Sequence, residues 1–234
     1  MRKPIDIAVA QPLCVPFEVA VNAQMHAATI RLAGARVVVF PELSLTGYEL
    51  AAPSITADDP RLAPIVVACA EVEALALVGA PLQGEAGQSH IAMLAIDASG
   101  VTVAYRKLWV DSTEAHRFTP GTKPAVLEVD GWRLGLAICK DTGIRQHASD
   151  TAALGIDVYV AGTLMLPAQA ATQDERGHRI ATEHKVWVAF ASFAGSTGAG
   201  YDKCAGRSGI WNPDGVVVAQ AGTETGAIAR ATFS

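Results

Sequence analysis

The sequence predicts an α/β fold in which a mixed β-sheet is packed in layers with helices on the outside. Three observations support this prediction. In the first part of the chain, apolar strand patterns alternate with helical patterns in the order β-α-β-α-β. Several later strands are paired into hairpins, which makes the sheet mixed rather than purely parallel. Half of the 234 residues are hydrophobic and 18% are charged, so the chain can bury a large core.

The first part of the chain contains the alternating pattern. Apolar runs at Ile5–Ala10, Val37–Phe40 and Leu77–Leu82 predict strands. The run at Val37–Phe40 is continuous, which is typical of a strand buried on both faces. Between these strands, apolar residues at helical spacing predict helices over Phe17–Ala33 and Pro60–Leu75.

Hairpins, helices and single strands fill the rest of the chain. Three hairpins are predicted, namely Ile91–Ile96 with Val101–Tyr105, Ala125–Val129 with Trp132–Ile138, and Ser208–Trp211 with Val216–Gln220. Further strands are predicted over Val158–Ala161, Val186–Phe193 and Ala227–Thr232, and further helices over Arg145–Leu154 and Gln169–Lys185. Because neither a linker nor a repeat divides the sequence, we expect one domain covering residues 1–234.

Charge and cysteine usage exclude several classes of protein. The net charge of −5 argues against a nucleic-acid partner and against an anionic membrane surface. Pro4 and Asp6 interrupt the N-terminal stretch, which lacks the apolar region of a signal peptide, and the sequence has no apolar run of about 18 residues. The four cysteines are scattered and form no CxxC pair, which favours reduced thiols over disulfides or a zinc site. We therefore expect a cytoplasmic protein.

Three predicted strand ends carry reactive side chains. Glu42 follows VVVFP, Lys107 follows VTVAYR, and Cys139 follows RLGLAI. A lone cysteine is most often a core residue, but a thiol at a strand end can also face a cleft as a nucleophile. In that role, Glu42 would remove the thiol proton and later return it to a leaving amine. Lys107 and the backbone N–H after the cysteine would stabilise the oxyanion of a tetrahedral intermediate.

The segments around these residues resemble a known family. FPELSLTGY (Phe40–Tyr48), YRKLWV (Tyr105–Val110) and LAICKD (Leu136–Asp141) resemble, in the same order, the three signature regions of the nitrilase superfamily, the carbon–nitrogen hydrolases. The runs RFTPG (117–121) and GRSGIWNPDGVVVAQ (206–220) resemble its flanking segments. The resemblance implies an α-β-β-α sandwich of the nitrilase type that assembles as a homodimer or a higher homo-oligomer.

The resemblance also implies roles for individual residues. It implies a covalent thioester on Cys139 and no metal or organic cofactor. Glu114 stands where the family has a second glutamate, which helps to orient the substrate and the lysine. The candidate catalytic residues are therefore Glu42, Lys107, Glu114 and Cys139, and the candidate substrate-binding residues are Tyr48, Trp109 and Lys140.

Two departures from the family pattern bear on the substrate. Lys140 and Asp141 follow the cysteine where nitrilases typically have Trp-Glu, and Trp109 replaces a common histidine or asparagine. The Lys140-Asp141 pair favours an amide over a nitrile, so we predict hydrolysis of a small amide or of a related carbamoyl or ureido group. One alternative is acyl transfer, in which an amine or alcohol replaces water. Another is a catalytically silent member that binds a metabolite or a partner protein. Lys140 could lower the pKa of the thiol, bind a substrate carboxylate, or remain solvated.

Other polar residues have structural interpretations. His116 and His147 lie near the signature segments and are expected to be hydrogen-bonded rather than catalytic. Arg179 and Glu183 are four residues apart on a predicted helix and can form an ion pair. The GSTGAG run (195–200) follows a strand but lacks the lysine of a phosphate-binding loop, so we predict a mobile loop near the site.

Overall fold

The computed structural model describes residues 2–234, which form two β-sheets with four α-helices. The first sheet consists of β1 (Ile5–Ala10), β2 (Val37–Val39), β3 (Leu75–Gln83), β4 (Ser89–Asp97), β5 (Gly100–Arg106) and β14 (Ile228–Phe233). The second consists of β6 (Val126–Val129), β7 (Trp132–Ile138), β8 (Val158–Thr163), β9 (Trp187–Ser192), β12 (Gly209–Trp211) and β13 (Val217–Gln220). A separate short pair is formed by β10 (Ala194–Gly195) and β11 (Cys204–Ala205). The helices are α1 (Val19–Ala33), α2 (Ala63–Val72), α3 (Arg145–Ala152) and α4 (Ala170–His184).

Each sheet has a parallel centre and antiparallel flanks. The first sheet has the strand order β14-β1-β2-β3-β4-β5, in which β1, β2 and β3 are parallel. The second has the order β13-β12-β9-β8-β7-β6, in which β7, β8 and β9 are parallel. The predicted mixed pairing is therefore correct, but it is divided between two sheets. Within each sheet the parallel strands have their carboxyl ends at the same edge, and Glu42 and Cys139 follow the carboxyl ends of β2 and β7.

The core has three apolar layers. One layer lies between the two sheets, another between the first sheet and helices α1 and α2, and the third between the second sheet and helices α3 and α4. Aromatic rings fill much of the layer between the sheets; for example, Trp187 stacks on Phe233 with ring centroids 4.3 Å apart. The predicted α-β-β-α sandwich is confirmed by this arrangement.

Several predicted boundaries differ from the structure by one to three residues, and two of the differences have a clear cause in the backbone. Helix α1 begins at Val19 rather than Phe17, because Phe17 has a φ of 66°, outside the helical region. Helix α2 ends at Val72 and Glu73 turns the chain with a φ of 53°, so that β3 already begins at Leu75. The alanine-rich run across this boundary suits either structure, and pairing of β3 with β2 decides in favour of the strand.

The two ends of the chain close the first sheet. Strand β14 pairs antiparallel with β1 from Ile5↔Phe233 to Ala10↔Ile228. Within residues 2–234, no helix is both long enough and apolar enough to cross a membrane.

Candidate active site

Cys139 lies where β7 ends and the chain turns sharply. It has a φ of 40°, in the left-handed region, and it begins a single 3₁₀ turn over Cys139–Gly143. A positive φ at a non-glycine residue costs on the order of 1 kcal/mol, so the surroundings must hold the turn in place. Thr142 contributes through its hydroxyl, which donates to the Cys139 carbonyl at 2.7 Å. The half-buried thiol lies 3.6 Å from the carbonyl oxygen of Leu164.

Glu42 follows β2 and is almost completely buried. Its Oε1 accepts a hydrogen bond from Lys107 Nζ at 2.6 Å, whereas its Oε2 has no hydrogen-bond partner among residues 2–234. Two glycines make room for the backbone beside it. A Cβ added to Gly79 would lie 2.4 Å from the carbonyl oxygen of Pro41, and one added to Gly162 would lie 2.6 Å from that of Phe40. The segment carrying Glu42 thus passes between one glycine of each sheet.

A buried histidine supports this segment from helix α1. His26 Nε2 lies 2.8 Å from Ser44 Oγ, and Nδ1 lies 2.6 Å from the carbonyl oxygen of Asn22. The His26 ring stacks on Phe40 at 4.2 Å between centroids. Burial lowers the pKa of His26 to about 4, so the ring is neutral and its one N–H donates to Asn22. The sequence pattern predicted the helix but not this role, because it placed the apolar face at Val21, Met25, Ala28 and Leu32, whereas His26 lies on the face that the structure buries.

Lys107 follows β5 and is held between two carboxylates. Besides its bond to Glu42, Nζ donates to Glu114 Oε1 at 2.8 Å and to Glu114 Oε2 at 2.7 Å. The N–H of Asp111 also donates to Glu114 Oε2, at 2.7 Å. Burial opposes the ammonium form, but the charges of Glu42, Cys139 and Glu114 outweigh it and raise the pKa of Lys107. Lys107 is therefore a permanently charged donor inside the protein.

Burial is the largest influence on the pKa values of Glu42 and Cys139. It raises the pKa of Glu42 to about 7, with Lys107 opposing this rise and Glu114 adding to it. Burial likewise raises the pKa of Cys139 to about 12, with the Glu42 charge adding and the Lys107 charge opposing. At neutral pH the resting site thus holds a thiol beside a carboxylate that can take up its proton.

A cavity of about 280 Å³ opens onto these groups. Its lining consists of Tyr48, Lys107, Asp111, Thr113, Glu114, Cys139, Lys140, Leu164, Leu166, Gln169 and Tyr201. The structure therefore brings two of the three predicted substrate-binding residues, Tyr48 and Lys140, to the site. Trp109 is not part of this lining; its side chain is 44% exposed and its backbone N–H donates to Asp141 Oδ1 at 2.9 Å.

Lys140 lies at the cavity but is already engaged. Its Nζ donates to the carbonyl oxygen of Val110 at 3.0 Å and lies 3.5 Å from an oxygen of Asp111. Burial is the larger effect on the pKa of the Cys139 thiol, and a lysine charge that lowers this pKa is that of Lys107. A lowering of the thiol pKa by Lys140 stays a prediction.

The glycine-rich loop contributes a wall of the cavity. Tyr201 packs edge-on against Tyr48, with ring centroids 5.3 Å apart. The loop is attached to the turn after Glu42, because the hydroxyl of Thr197 and the N–H of Gly198 donate to the Gly47 carbonyl oxygen at 2.8 and 2.7 Å. The predicted position of this loop near the site is correct.

The remaining polar predictions have mixed outcomes. His116 is exposed, whereas His147 is buried and hydrogen-bonded to two tyrosines. Arg179 lies 3.4 Å from Glu183, as predicted, and it also donates to the carbonyl oxygen of Thr142 at 2.8 Å. Asp141 is fully buried behind the cysteine turn. Its position in the charged pair Lys140-Asp141 did not indicate this burial. In the part of the chain that is described, no three His, Cys, Asp or Glu side chains are grouped to hold a metal ion.

Comparison with known proteins shows the family to which this chain belongs. The sequence model of the family described as carbon-nitrogen hydrolase matches residues 6–234. The chain belongs to the carbon–nitrogen hydrolase family. A hydrolase encoded in the pqqF 5′ region of Pseudomonas protegens is 29% identical over 231 residues, which cover 95% of this chain and 80% of the relative. The resemblance of the three signature segments to the nitrilase superfamily is thereby confirmed.

Solved structures of the superfamily share the fold of this carbon–nitrogen hydrolase. Nit3 of Saccharomyces cerevisiae, from branch 10 of the nitrilase superfamily, is 18% identical with a TM-score of 0.88, covering 99% of this chain and 90% of Nit3. The NitN amidase of Nesterenkonia sp. AN1 is 22% identical with a TM-score of 0.87, covering 98% and 93%. A cysteine variant of that amidase in complex with butyramide has the same identity and TM-score, covering 98% and 90%.

Proposed function

We propose that this carbon–nitrogen hydrolase is an amidohydrolase that cleaves a small non-peptide amide through a thioester on Cys139. The observation that carries the proposal is the buried Lys107 ammonium, held by Glu42 and Glu114 beside the thiol at the base of one cavity. The cavity volume of about 280 Å³ suits a short acyl group rather than a peptide. Butyramide, bound by the variant of the Nesterenkonia amidase, is a small amide of this kind.

In the acylation step, Glu42 acts as the general base. Its unpartnered Oε2 takes the proton of the Cys139 thiol as sulfur attacks the amide carbon. Because the pKa of Cys139 is about 12, proton transfer accompanies the attack rather than preceding it. The protonated Glu42 then gives this proton to the amide nitrogen, and the C–N bond breaks to release ammonia or an amine.

Lys107 stabilises the oxyanion that forms during the attack. An ammonium has three N–H groups, and one is directed to Glu42. Glu114 presents both oxygens to Nζ, so a single shared N–H can satisfy it and leave the third for the oxyanion. We assign the second donor to the backbone N–H of Lys140, the residue after the nucleophile.

In the deacylation step, water attacks the thioester. Glu42, again a carboxylate, accepts a proton from the water, the C–S bond breaks, and the proton returns to the Cys139 sulfur. The carboxylic acid leaves and the resting thiol is restored. An amine or alcohol in the place of water would give acyl transfer from the same thioester.

The proposal is tested by ammonia release from acetamide, propionamide and butyramide, with intact-mass analysis of the quenched enzyme. We expect ammonia and carboxylic acid in equal amounts, together with a mass increase equal to the acyl group. Cys139→Ala is the matched control and should show neither. Ammonia release by that control would refute the thioester mechanism. Adding hydroxylamine separates hydrolysis from transfer, because a transferase would give mainly the hydroxamate and little free acid.

A further inference from the structure

A buried carboxylate connects the two strand ends that bear the proposed lysine and nucleophile. Asp141 has no exposed surface. Its Oδ2 accepts the N–H of Ile138 at 2.9 Å and the hydroxyl of Tyr105 at 2.8 Å. Its Oδ1 accepts the N–H of Trp109 at 2.9 Å. Ile138 directly precedes the nucleophile, while Tyr105 and Trp109 lie two residues before and after the lysine.

A histidine and a second tyrosine extend these contacts. His147 Nε2 lies 2.8 Å from the Tyr105 hydroxyl, and Nδ1 lies 2.8 Å from the Tyr159 hydroxyl. Burial lowers the pKa of His147, so the ring is neutral and has one N–H. Because Tyr105 donates its proton to Asp141, its oxygen accepts from Nε2–H, and Tyr159 donates to Nδ1. In the series from Tyr159 through His147 and Tyr105 to Asp141, each hydrogen bond is thus donated toward the carboxylate.

The charge state of Asp141 follows from its partners. Burial raises the pKa of Asp141, but three donors, two of them backbone N–H groups, point at its two oxygens. The two backbone N–H groups can only donate, and their hydrogen bonds stabilise the ionised form. We therefore treat Asp141 as a carboxylate, which makes charge-assisted hydrogen bonds.

We propose that Asp141 is a positioning residue that sets the separation between Lys107 and Cys139. These two residues lie at the ends of β5 and β7, on different sheets, and the layer between the sheets is mainly apolar. Apolar contacts have no preferred direction and tolerate small sliding movements, whereas hydrogen bonds to a fixed carboxylate do not. A displacement of reacting groups by about 1 Å can lower a rate by about 100-fold.

Three variants distinguish a positioning role of Asp141 from a role in stabilising the fold only. Asp141→Asn keeps the size of the side chain but turns an NH₂ group toward a donor. Tyr105→Phe keeps the ring and removes one of the three donors. Asp157→Asn is the matched control, because Asp157 Oδ2 accepts the N–H of Arg133 at 2.8 Å at the opposite end of β7.

The measurements are kcat and KM for butyramide, the rate of Cys139 alkylation by iodoacetamide, and the melting temperature. We expect Asp141→Asn and Tyr105→Phe to lower kcat by about 10-fold or more with KM changed by less than about threefold. Alkylation of Cys139 should slow in both, because Lys107 then lowers the thiol pKa less. The Asp157→Asn control should keep wild-type kcat and alkylation even where its melting temperature falls equally.

Wild-type kcat in Tyr105→Phe and Asp141→Asn overturns the inference, as does an equal loss of kcat in the Asp157→Asn control at matched melting temperature. If Asp141→Asn does not fold, Tyr105→Phe decides alone. The kinetic part of the inference rests on the proposed function, but alkylation does not require turnover. If the wild type hydrolyses no amide, the proposed function fails, and unchanged alkylation of Cys139 in the folded variants would separately overturn the positioning role.

Discussion

Replacing Glu42 with glutamine tests the proposed base with little change in contacts. The amide has the size of the carboxyl group and keeps one oxygen that can accept the N–H of Lys107, which Oε1 now accepts at 2.6 Å. The atom that changes is Oε2, which has no partner within the described chain and takes the proton in the proposed mechanism. Glu42→Gln therefore removes a proton acceptor and leaves Lys107 its contacts with Glu114.

The expected magnitudes differ for turnover and for stability. Loss of a general base lowers kcat by about 10²–10⁴-fold, or about 3–5 kcal/mol of activation free energy. Stability should not fall in the same way. The pKa of Glu42 is raised to about 7, so above pH 7 the native state carries the cost of an ionised buried carboxylate, about 3 kcal/mol. The neutral amide lacks this cost, and we expect the variant to be at least as stable as the wild type at pH 8.

The assay is kcat for butyramide at pH 8, together with urea unfolding at pH 5 and pH 8. In the wild type, the contribution of Glu42 to the free energy of unfolding declines as the pH rises from about 4.5 to about 7, and Glu42→Gln should lack this decline. Glu128→Gln, which alters an exposed carboxylate paired with Arg133, is the control. A kcat within threefold of wild type in Glu42→Gln would refute its role as base.

Four further outcomes are expected. The kcat/KM of the wild type should fall about tenfold per pH unit below about pH 7 as Glu42 becomes protonated, whereas a pH-independent profile from 5 to 8 would contradict the raised pKa. Lys107→Met should lower the free energy of unfolding by about 3–5 kcal/mol at pH 8, because Glu42 and Glu114 lose their shared cation. Urea unfolding at pH 5 should show that part of this lost stability is recovered. Gly162→Ala should cost about 1–3 kcal/mol and also lower kcat, since its Cβ would meet the Glu42 segment, and unchanged kinetics would show that the segment can move freely. Iodoacetamide with peptide mapping should label Cys139 before the other cysteines, which are buried, although slowly at pH 7; earlier labelling of Cys69 or Cys204 would count against an open active-site thiol.

The fold was largely predictable because its strands have distinct hydrophobic patterns. The continuous apolar run at Val37–Phe40 and the paired patterns around Asp130 reflect burial on one or both faces of a sheet. The division into two sheets came only from the family resemblance, since periodicity does not say which sheet a strand joins. The boundary between α2 and β3 was misplaced because alanine is compatible with both structures and the pairing partner lies far away in sequence.

The three reactive strand ends were also predictable, because Glu42, Lys107 and Cys139 each follow an apolar strand pattern in the sequence. The residues that hold these strand ends in position were not predictable. His26 is paired with Ser44, and Asp141 with Tyr105, and both contacts depend on tertiary packing between elements that no local pattern connects. The raised pKa of the thiol was not predictable for a related reason. The charge of Lys140 is visible in the sequence, but the burial that outweighs nearby charges is not.

The division of the site between two sheets has a consequence for folding. Glu42 and Lys107 follow strands of one sheet, whereas Cys139 ends a strand of the other. A folding intermediate in which each sheet has formed but the apolar layer between them is still loose would contain the secondary structure without bringing Cys139 to Glu42 and Lys107. After dilution from denaturant, enzymatic activity would then recover more slowly than the far-ultraviolet circular dichroism signal. The rate at which activity recovers would measure the rate at which the two sheets dock.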